Sequence, residues 1–303
     1  MNKPNIITSF FQNLIKNKDI RQFKNNFFYY IFFRIIRSYL NCYIEVKIYD
    51  FKISVSNKNN KISHSLLKKC NFEDQSELAI IKKFSNKKKI YLLDCGCNYG
   101  FYSFYTASLS EKNSVIAIEA SPQTSEDFNK NLNLNNFKNV VLKNLAISDE
   151  EDKVIIFHES EKDWESSLSD NKFQKKKVSN IKTTTIDVIF DSYDLKDYFL
   201  FIKLDIEGHE FQAISGGINT IKKYNPIIII EFSKYILDNN GSFNFLENFL
   251  INLDYKIYSV DNKLIELKEV IKLLNNLDKN HKTIGNYYLV KNDKKILNFF
   301  KND

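Results

Sequence analysis

Four acidic residues in the sequence each follow a short, largely apolar stretch. They are Asp94, Glu119, Asp205 and Glu231. Continuous apolar stretches that alternate with helical patterns predict a parallel sheet covered by helices on both faces. In open sheets of this kind, ligands bind beyond the carboxyl ends of the strands. We therefore expect the four carboxylates to line one crevice, where they could attract a cation or accept a proton.

A glycine-containing loop follows the first of these strands. It runs Asp94-Cys95-Gly96-Cys97-Asn98-Tyr99-Gly100, in a chain with only 7 glycines among 303 residues. Glycine lets the backbone turn tightly and approach a ligand where a Cβ would clash. The loop has no lysine or arginine and lacks the G-x-G-x-x-G spacing typical of pyrophosphate sites. A nucleoside that carries a sulfonium and an ammonium group suits its charge better.

Glu119 stands where the ribose of such a nucleoside would bind. It lies 23 residues after Gly96, and in dinucleotide sites an acid about 20 residues beyond the loop binds the ribose hydroxyls. Two interpretations from other functional classes stay open. One is an NAD-dependent oxidoreductase on a similar sheet, which the glycine spacing disfavours. The other is a non-catalytic donor-binding assembly partner, against which the full set of strand-end acids argues.

The elements that position these residues alternate from Lys89 onward. The predicted strands include Ile90–Leu93 and Ser114–Ile118, and Pro122 opens a helix that runs to about Asn135. A long excursion over residues 153–185 contains Trp164 and a lysine run. Excursions of this length inside a compact domain are usually functional or disordered. Further predictions are a hairpin at 43–56, a helix at 74–84, strands at 140–142, 199–204, 227–230, 255–260 and 287–290, and a helix near 266–276.

The first 90 residues differ in charge from the rest of the chain. They carry 18 basic and 6 acidic residues, a net charge of +12, whereas residues 91–303 carry 26 basic and 31 acidic residues, a net charge of −5. Aromatic residues lie among the basic ones, and the apolar run Phe27–Phe33 is too short to span a membrane. Docking of an aromatic helix on the main domain is favoured over peripheral membrane contact through residues 8–40, and we expect no nucleic-acid partner.

These patterns divide the chain into three parts and indicate its compartment. We expect a basic aromatic helical arm over residues 1–42, a β-hairpin and helix over 43–88, and the catalytic domain over 89–303. Four cysteines at these spacings predict neither a disulfide scaffold nor a closed zinc site. The start of the chain lacks the apolar region of a signal peptide, which predicts a cytoplasmic protein.

Residues 92–233 resemble the FkbM family of S-adenosylmethionine-dependent methyltransferases. The loop Leu93–Gly100 resembles the family's D-x-G-A-N-x-G motif, with Cys97 where alanine is usual. The most specific match is Ile202–Glu210, which resembles I-K-I-D-V-E-G-x-E. Three further segments match in the same order: Ala117–Pro122 with F-E-P-x-P, Asn144–Asp149 with N-x-A-x-S/G-D/N, and Ser166–Leu168 with S-S-L.

The resemblance implies a fold and a set of donor contacts. The fold is the α/β, Rossmann-like class I methyltransferase fold, with a mostly parallel seven-stranded sheet, helices on both faces and an N-terminal helical and β-hairpin extension. Glu119 would hold the ribose of S-adenosylmethionine, and residues near Ala146 its adenine. The methionine part would be held by Asp94, Gly96, Asn98 and Gly100.

The resemblance also implies methyl transfer to oxygen, often a hydroxyl of a sugar, a glycan or a lipid-linked glycan precursor. Asp205, Glu207 and His209 stand where the family places its reaction site. We rank them as the base in the order Asp205, His209, Glu207, because Asp205 ends its strand and is expected to face the crevice. We predict no metal at this site, although a carboxylate pair could hold a divalent cation.

Overall fold

The structure is a computed structural model that describes residues 6–15, 17–36, 43–56, 66–159, 177–238, 243–278 and 281–301. Trp164 and the Ser166–Leu168 match lie outside the described residues. The strands are β1 (Tyr43–Ile48), β2 (Phe51–Ser56), β3 (Lys89–Cys95), β4 (Ser114–Ile118), β5 (Val140–Lys143), β6 (Ala146–Ile147), β7 (Val154–Glu159), β8 (Lys177–Thr184), β9 (Tyr198–Leu204), β10 (Ile227–Ser233), β11 (Tyr255–Ser259), β12 (Leu264–Ile265) and β13 (Thr283–Lys291).

A 3-10 helix, Ile20–Phe23, and a series of α-helices complete the described elements. The α-helices are α1 (Ile6–Ile15), α2 (Phe27–Ile36), α3 (Gln75–Ser85), α4 (Phe101–Leu109), α5 (Pro122–Asn135), α6 (Ile186–Phe190), α7 (Glu210–Ser215), α8 (Ile218–Tyr224), α9 (Lys234–Asp238), α10 (Phe243–Asn252), α11 (Leu267–Asn275) and α12 (Lys294–Lys301). Within the described residues, none of these helices is long and apolar enough to cross a membrane.

The main sheet has the strand order β12-β11-β13-β10-β9-β3-β4-β5. The five strands from β10 to β5 are parallel, and β11, β12 and β13 add antiparallel pairs. This confirms the mostly parallel α/β fold, but the described sheet has eight strands where seven were expected. The additional strand, β12, has only two residues, which is too short to produce an alternating pattern in the sequence.

The sheet is covered on both faces, as its apolar strands predict. In β3, Ile90 and Leu92 belong to one hydrophobic cluster, whereas Leu93 and Cys95 belong to another on the opposite face. Side chains alternate between the two faces of a strand, so a strand that is buried on both faces must be apolar throughout. The parallel strands therefore hold their carboxyl ends at one edge of a rigid, dehydrated core.

The N-terminal elements pack on one of these two faces. Phe11, Tyr29 and Phe33 of α1 and α2 are buried in the same cluster as Ile90, and the Tyr29 hydroxyl donates to the carbonyl oxygen of Leu67 at 2.8 Å. One aromatic face of the arm thus docks on the main body of the protein. Contact of its other face with a membrane stays a prediction, as do the domain boundaries.

The hairpin β1–β2 is joined to the main body through the side chains of α5. Asn135 accepts a hydrogen bond from the Lys52 amide at 2.6 Å and donates one to the Lys52 carbonyl at 2.7 Å. Asn131 accepts from the amide of Ser54 at 2.7 Å. These amides satisfy backbone groups that an isolated two-stranded sheet would leave unpaired. The hairpin is therefore held against the helix that follows β4.

Candidate active site

Gly96 brings the ends of three strands together. Its φ is +74°, and a Cβ at this position would lie 1.9 Å from the carbonyl oxygen of Asp205. The Gly96 amide donates to the carbonyl of Ile118 at 3.0 Å, and the Asp205 amide donates to that of Cys95 at 3.2 Å. The close approach that requires glycine here is thus to the backbone after β9, whereas we expected it to be to a ligand.

We expect Gly96→Ala to lower the free energy of unfolding by at least about 2 kcal/mol, because it combines a left-handed backbone strain with a clash against backbone atoms. Gly285→Ala is the matched control, since Gly285 has a φ of +92° but nothing within 4 Å of the added Cβ. That variant should lose only about 1 kcal/mol, the cost of the backbone conformation. Urea unfolding measures both. Equal losses would contradict the assigned contact.

Among the residues that the structure describes, two buried oxygen atoms beside this loop have no hydrogen-bond partner. Asp94 is buried, and its Oδ2 accepts a hydrogen bond from the Ser103 hydroxyl at 2.6 Å, whereas its Oδ1 is unpartnered. The Oδ1 atom of Asn98 is also unpartnered within the described residues. Buried polar atoms are rarely left in this state. These acceptors indicate a place where a donor group or a positive charge of a ligand is bound.

Glu119 connects the loop to the end of β4. Its carboxylate accepts from the amide of Asn98 at 3.0 Å and from that of Ser121 at 2.9 Å. A carboxylate has about four acceptor positions, so two remain for a ligand. Burial raises the pKa of Glu119 to about 7, against the opposing effect of the two amides. The residue is therefore a fixed acceptor on the floor of the crevice.

Asp205 lies at the end of β9 and forms an ion pair with Lys203. The Nζ atom of Lys203 is 2.9 Å from Oδ2 of Asp205, and the two side chains are 5% and 39% exposed. The lysine also lies above the ring of Tyr102, 5.0 Å from its centroid. Burial acts to lower the pKa of Lys203, but Asp205 and Asp94 raise it above its usual range. The pair thus presents a charged, accessible carboxylate at the crevice.

Our sequence reasoning missed Lys203 and Asp74 as members of this site. Asp74 precedes α3 and accepts a hydrogen bond from the Tyr102 hydroxyl at 2.9 Å. Burial and the neighbouring Glu77 raise the pKa of Asp74 to about 6, and the charges of Lys203 and Asp205 also act on it. A signal for Lys203 was present, because it is the only charged residue in the otherwise apolar strand β9.

The loop after Asp205 contains the other two candidate bases. Glu207 has a left-handed backbone with a φ of +55°, and burial together with Asp205 raises its pKa well above the usual range. Burial lowers the pKa of His209, and its Nε2 is buried without a hydrogen-bond partner in the described structure. Burial thus favours the uncharged forms of both side chains.

Glu210 holds this loop in shape. Its Oε1 accepts hydrogen bonds from the amides of Ile206 at 3.0 Å and Gly208 at 3.2 Å, and its side chain is buried. Burial raises the pKa of Glu210 to about 7. Glu210 is thus a structural clamp for the segment that carries Glu207.

Glu231 lies before the end of its strand, whereas the sequence predicted that it ends the strand. It is inside β10, which continues to Ser233, because β13 pairs with β10 along this whole segment. Burial and Asp205 raise the pKa of Glu231 to about 8. Ala146, in β6, belongs to a small hydrophobic cluster with Phe157, against which Ala120 packs.

The segment before Ala146 is nevertheless tied to the Glu119 end of the crevice. The Asn144 side-chain amide donates to the carbonyl oxygens of Glu119 at 2.7 Å and of Ala120 at 3.0 Å. The ends of three predicted strands, β3, β4 and β9, meet at the crevice as expected.

Within the described residues, the His, Cys, Asp and Glu side chains form no group of three or more that could hold a metal ion.

Comparison with known proteins places this chain in a family. The model of the methyltransferase FkbM domain matches residues 94–257, which is more than half of the 303 residues. This segment begins at Asp94 and contains Glu119, Asp205, Glu207 and His209. No curated protein matches the chain.

Three solved structures are similar at low identity. The methyltransferase FkbM from Methylobacillus flagellatus is 16% identical, with 75% of this chain and 52% of that chain covered and a TM-score of 0.40. The chain thus spans about half the length of that protein. Precorrin-6y C5,15-methyltransferase from Geobacter metallireducens is 12% identical, with 73% of this chain and 89% of that chain covered and a TM-score of 0.39. SMU.1697c, a methyltransferase from Streptococcus mutans in complex with SAH, is 11% identical, with 71% of this chain and 96% of that chain covered and a TM-score of 0.39.

The match to the family model coincides with the geometry of the crevice. It covers the glycine loop, the strand-end carboxylates and the Lys203–Asp205 ion pair, and it agrees with the resemblance seen in the sequence motifs. The fold has the expected form, with a mostly parallel sheet covered on both faces. The chain therefore belongs to the FkbM family of methyltransferases, whose methyl donor is S-adenosylmethionine.

Proposed function

We propose that the protein is an O-methyltransferase that methylates a hydroxyl group of a sugar, a glycan or a lipid-linked glycan precursor. One observation carries this proposal: an accessible carboxylate, Asp205, lies beside the glycine loop and is held by the buried ammonium group of Lys203. A sugar hydroxyl is a weak nucleophile, and a positioned base that removes its proton assists the reaction. A carboxylate at this position supplies such a base.

The residues of the crevice fit S-adenosylmethionine. The donor carries positive charge, and the unpartnered oxygens of Asp94 and Asn98 provide buried acceptors for it beside a loop without basic residues. Glu119 keeps acceptor capacity for the ribose hydroxyls. Asn144 fixes the segment that leads to Ala146, where we place the adenine. When bound, the donor supplies a methyl group that its sulfonium makes electrophilic.

Asp205 is a better base than either His209 or Glu207. Its side chain is 39% exposed, whereas the Nε2 atom of His209 is buried. Burial and the charge of Asp205 raise the pKa of Glu207 well above its usual range, which favours its protonated form. We therefore assign the base to Asp205 and place His209 and Glu207 in the wall of the crevice.

Lys203 acts as a positioning residue for Asp205. Its ammonium group donates a hydrogen bond to Oδ2 of the Asp205 carboxylate, so Oδ1 is left to face the acceptor hydroxyl. The same ammonium group offsets the negative charges of Asp94 and Asp74, which act on it electrostatically. Orientation of two reactants can supply roughly 7–11 kcal/mol of a reaction barrier in well-aligned systems. A fixed carboxylate contributes to that alignment.

Product analysis tests the proposed reaction. The purified full chain is incubated with S-adenosylmethionine and a panel of sugars and glycans, and the release of S-adenosylhomocysteine is followed. We expect release to require an acceptor with a free hydroxyl, and NMR of the product to show a methyl ether. Methylation of a nitrogen or carbon atom in its place would overturn the assignment to oxygen while leaving the methyltransferase family unchanged.

A further inference from the structure

A groove lies between the N-terminal arm and residues 68–75, outside the strand-end crevice. Its volume is about 680 Å³, and its walls include Lys24, Phe27, Tyr30 and Lys68. This volume lies within the range of roughly 300–1,000 Å³ found for small-molecule sites. The proposed donor contacts and the Lys203–Asp205 pair do not line it, so it is available for a different ligand or for a different part of the acceptor.

The groove carries uncompensated positive charge. Lys24 and Lys68 are exposed, and in the described part of the chain neither lies in an ion pair, whereas Lys69 pairs with Glu73 at 2.6 Å. The groove also belongs to the segment of the chain whose net charge is +12. Two ammonium groups in one concave surface favour a ligand that bears phosphate.

Aromatic rings line the same groove. Phe27 is 69% exposed and Tyr30 is 46% exposed. Large aromatic side chains this open to solvent provide flat apolar surface, and the Tyr30 hydroxyl adds a polar group at the edge. The apolar faces of a sugar ring can stack on such surfaces while its hydroxyls reach polar neighbours. The lysines and the aromatic rings together fit a sugar with a phosphate group better than either a bare anion or an apolar molecule.

One wall of the groove connects it to the reaction site. Phe72, which lines the groove, stacks on Phe101 with centroids 4.4 Å apart and an interplanar angle of 13°. Phe101 directly follows Gly100 of the glycine loop. Two residues after Phe72, Asp74 accepts the hydrogen bond of Tyr102, whose ring lies beneath Lys203. The segment 72–74 thus connects the groove to the Lys203–Asp205 pair through the ring of Tyr102.

We propose that this groove binds a phosphate-bearing sugar as the acceptor, or as the phosphorylated end of a longer acceptor, of the methyl transfer. This inference deepens the proposed function and rests on it for the identification of the ligand as acceptor. The binding itself requires no turnover. The phosphate can belong to a soluble sugar phosphate or to a lipid-linked one, and both present the same group to Lys24 and Lys68.

A binding experiment with the full chain tests the groove. The soluble probe is glucose 1-phosphate, with glucose as its neutral control, and binding is followed by ligand-observed NMR and calorimetry. The second arm uses vesicles that carry polyprenyl-phosphoglucose, and the third uses vesicles of phosphatidylglycerol alone. We expect binding of glucose 1-phosphate or of the polyprenyl-phosphoglucose vesicles, and whichever is bound identifies the source of the phosphate.

Charge variants separate the groove from general electrostatics. The double variant Lys24→Gln/Lys68→Gln should weaken binding of the sugar phosphate by at least about fivefold, from two contacts of about 0.5–1 kcal/mol each. The matched control Lys18→Gln/Lys112→Gln removes the same charge from exposed lysines that do not line the groove, and it should leave the affinity unchanged. Equal affinities of the two double variants would overturn the proposal, as would binding to phosphatidylglycerol vesicles alone.

Donor binding distinguishes failure of this inference from failure of the proposed function. Both double variants should bind S-adenosylhomocysteine as the wild-type chain does, because the substituted lysines lie outside the donor contacts. Loss of sugar-phosphate binding with donor binding intact supports the groove. If the wild-type chain binds S-adenosylhomocysteine and forms methyl ethers on neutral glycans, but does not bind either sugar-phosphate probe, the groove inference fails and the proposed function stands.

Discussion

Asp205→Asn is expected to lower the rate of methyl transfer by roughly 10²–10⁴-fold, the contribution that a positioned base typically makes. The amide has nearly the shape of the carboxylate, and its oxygen can still accept a hydrogen bond from Lys203, 2.9 Å away in the wild-type chain. It cannot take the proton of an acceptor hydroxyl. The release of S-adenosylhomocysteine with a glycan acceptor measures the rate, and calorimetry measures donor affinity, which should persist.

His209→Gln serves as the control for this variant. It replaces a half-buried imidazole whose buried Nε2 has no partner within the described residues, and we expect a much smaller loss of rate. A large loss in His209→Gln with little change in Asp205→Asn would move the base to His209. Unchanged turnover in Asp205→Asn would remove Asp205 from the base role altogether.

Lys203→Met is expected to destabilise the protein by roughly 3 kcal/mol, the lower end of the range found when one partner of a buried ion pair is removed, because Asp205 is 39% exposed. The lysine side chain is 5% exposed, and its charge offsets those of Asp205, Asp94 and Asp74. Methionine fills a similar volume without the charge, so these carboxylates would repel one another. Urea unfolding of the full chain at neutral pH measures the loss.

Two further variants separate the ion pair from a general effect of removing a lysine. Lys143→Met changes a lysine in β5 that is exposed, and it should change stability by no more than about 0.5 kcal/mol. Adding Asp205→Asn to Lys203→Met should recover part of the lost stability, because one of the opposing carboxylates is then neutral. A Lys203→Met variant as stable as Lys143→Met would contradict the assigned role.

The sequence predicts the elements that local signals define. Helix α5 begins at Pro122 and ends at Asn135 as expected, because Ser121 caps its first turn through the amide of Thr124 and proline suits the first position. Strands β3 and β4 follow from continuous apolar runs. The position of the glycine loop at their carboxyl ends then follows from the topology of parallel sheets.

The parts of the site that were missed depend on contacts between distant segments. Asp74 and Lys203 are 129 residues apart in the chain, and no local pattern predicts that the residue before α3 lies close to the end of β9. No sequence signal indicates that Glu210 clamps the loop, because its bonds to the amides of Ile206 and Gly208 exist only in the folded loop. Burial and partner choice are tertiary properties, and they decide the charge state of each carboxyl.

The glycine loop has one feature that the sequence predicted and one that it did not. Its position and backbone conformation were expected, since Gly96 and Gly100 have positive φ angles. The close contact of the loop was not expected, because Gly96 approaches the backbone of Asp205 and the sequence suggested that it approaches a ligand. The glycine therefore links the proposed donor site to the proposed base: it sets how close the end of β3 can come to the end of β9. Sequence spacing alone carries no information about that distance.

Calorimetry with two cofactors distinguishes a methyl-donor site from a nicotinamide site. We propose that the carboxylates at the ends of β3 and β4 hold the ammonium group and the ribose of an adenosyl donor, and S-adenosylhomocysteine carries both groups. Calorimetric titration of the purified full chain with S-adenosylhomocysteine and, separately, with NAD compares the two interpretations of the glycine loop. We expect saturable binding of S-adenosylhomocysteine and no binding of NAD. Binding of NAD without binding of S-adenosylhomocysteine would contradict the proposal.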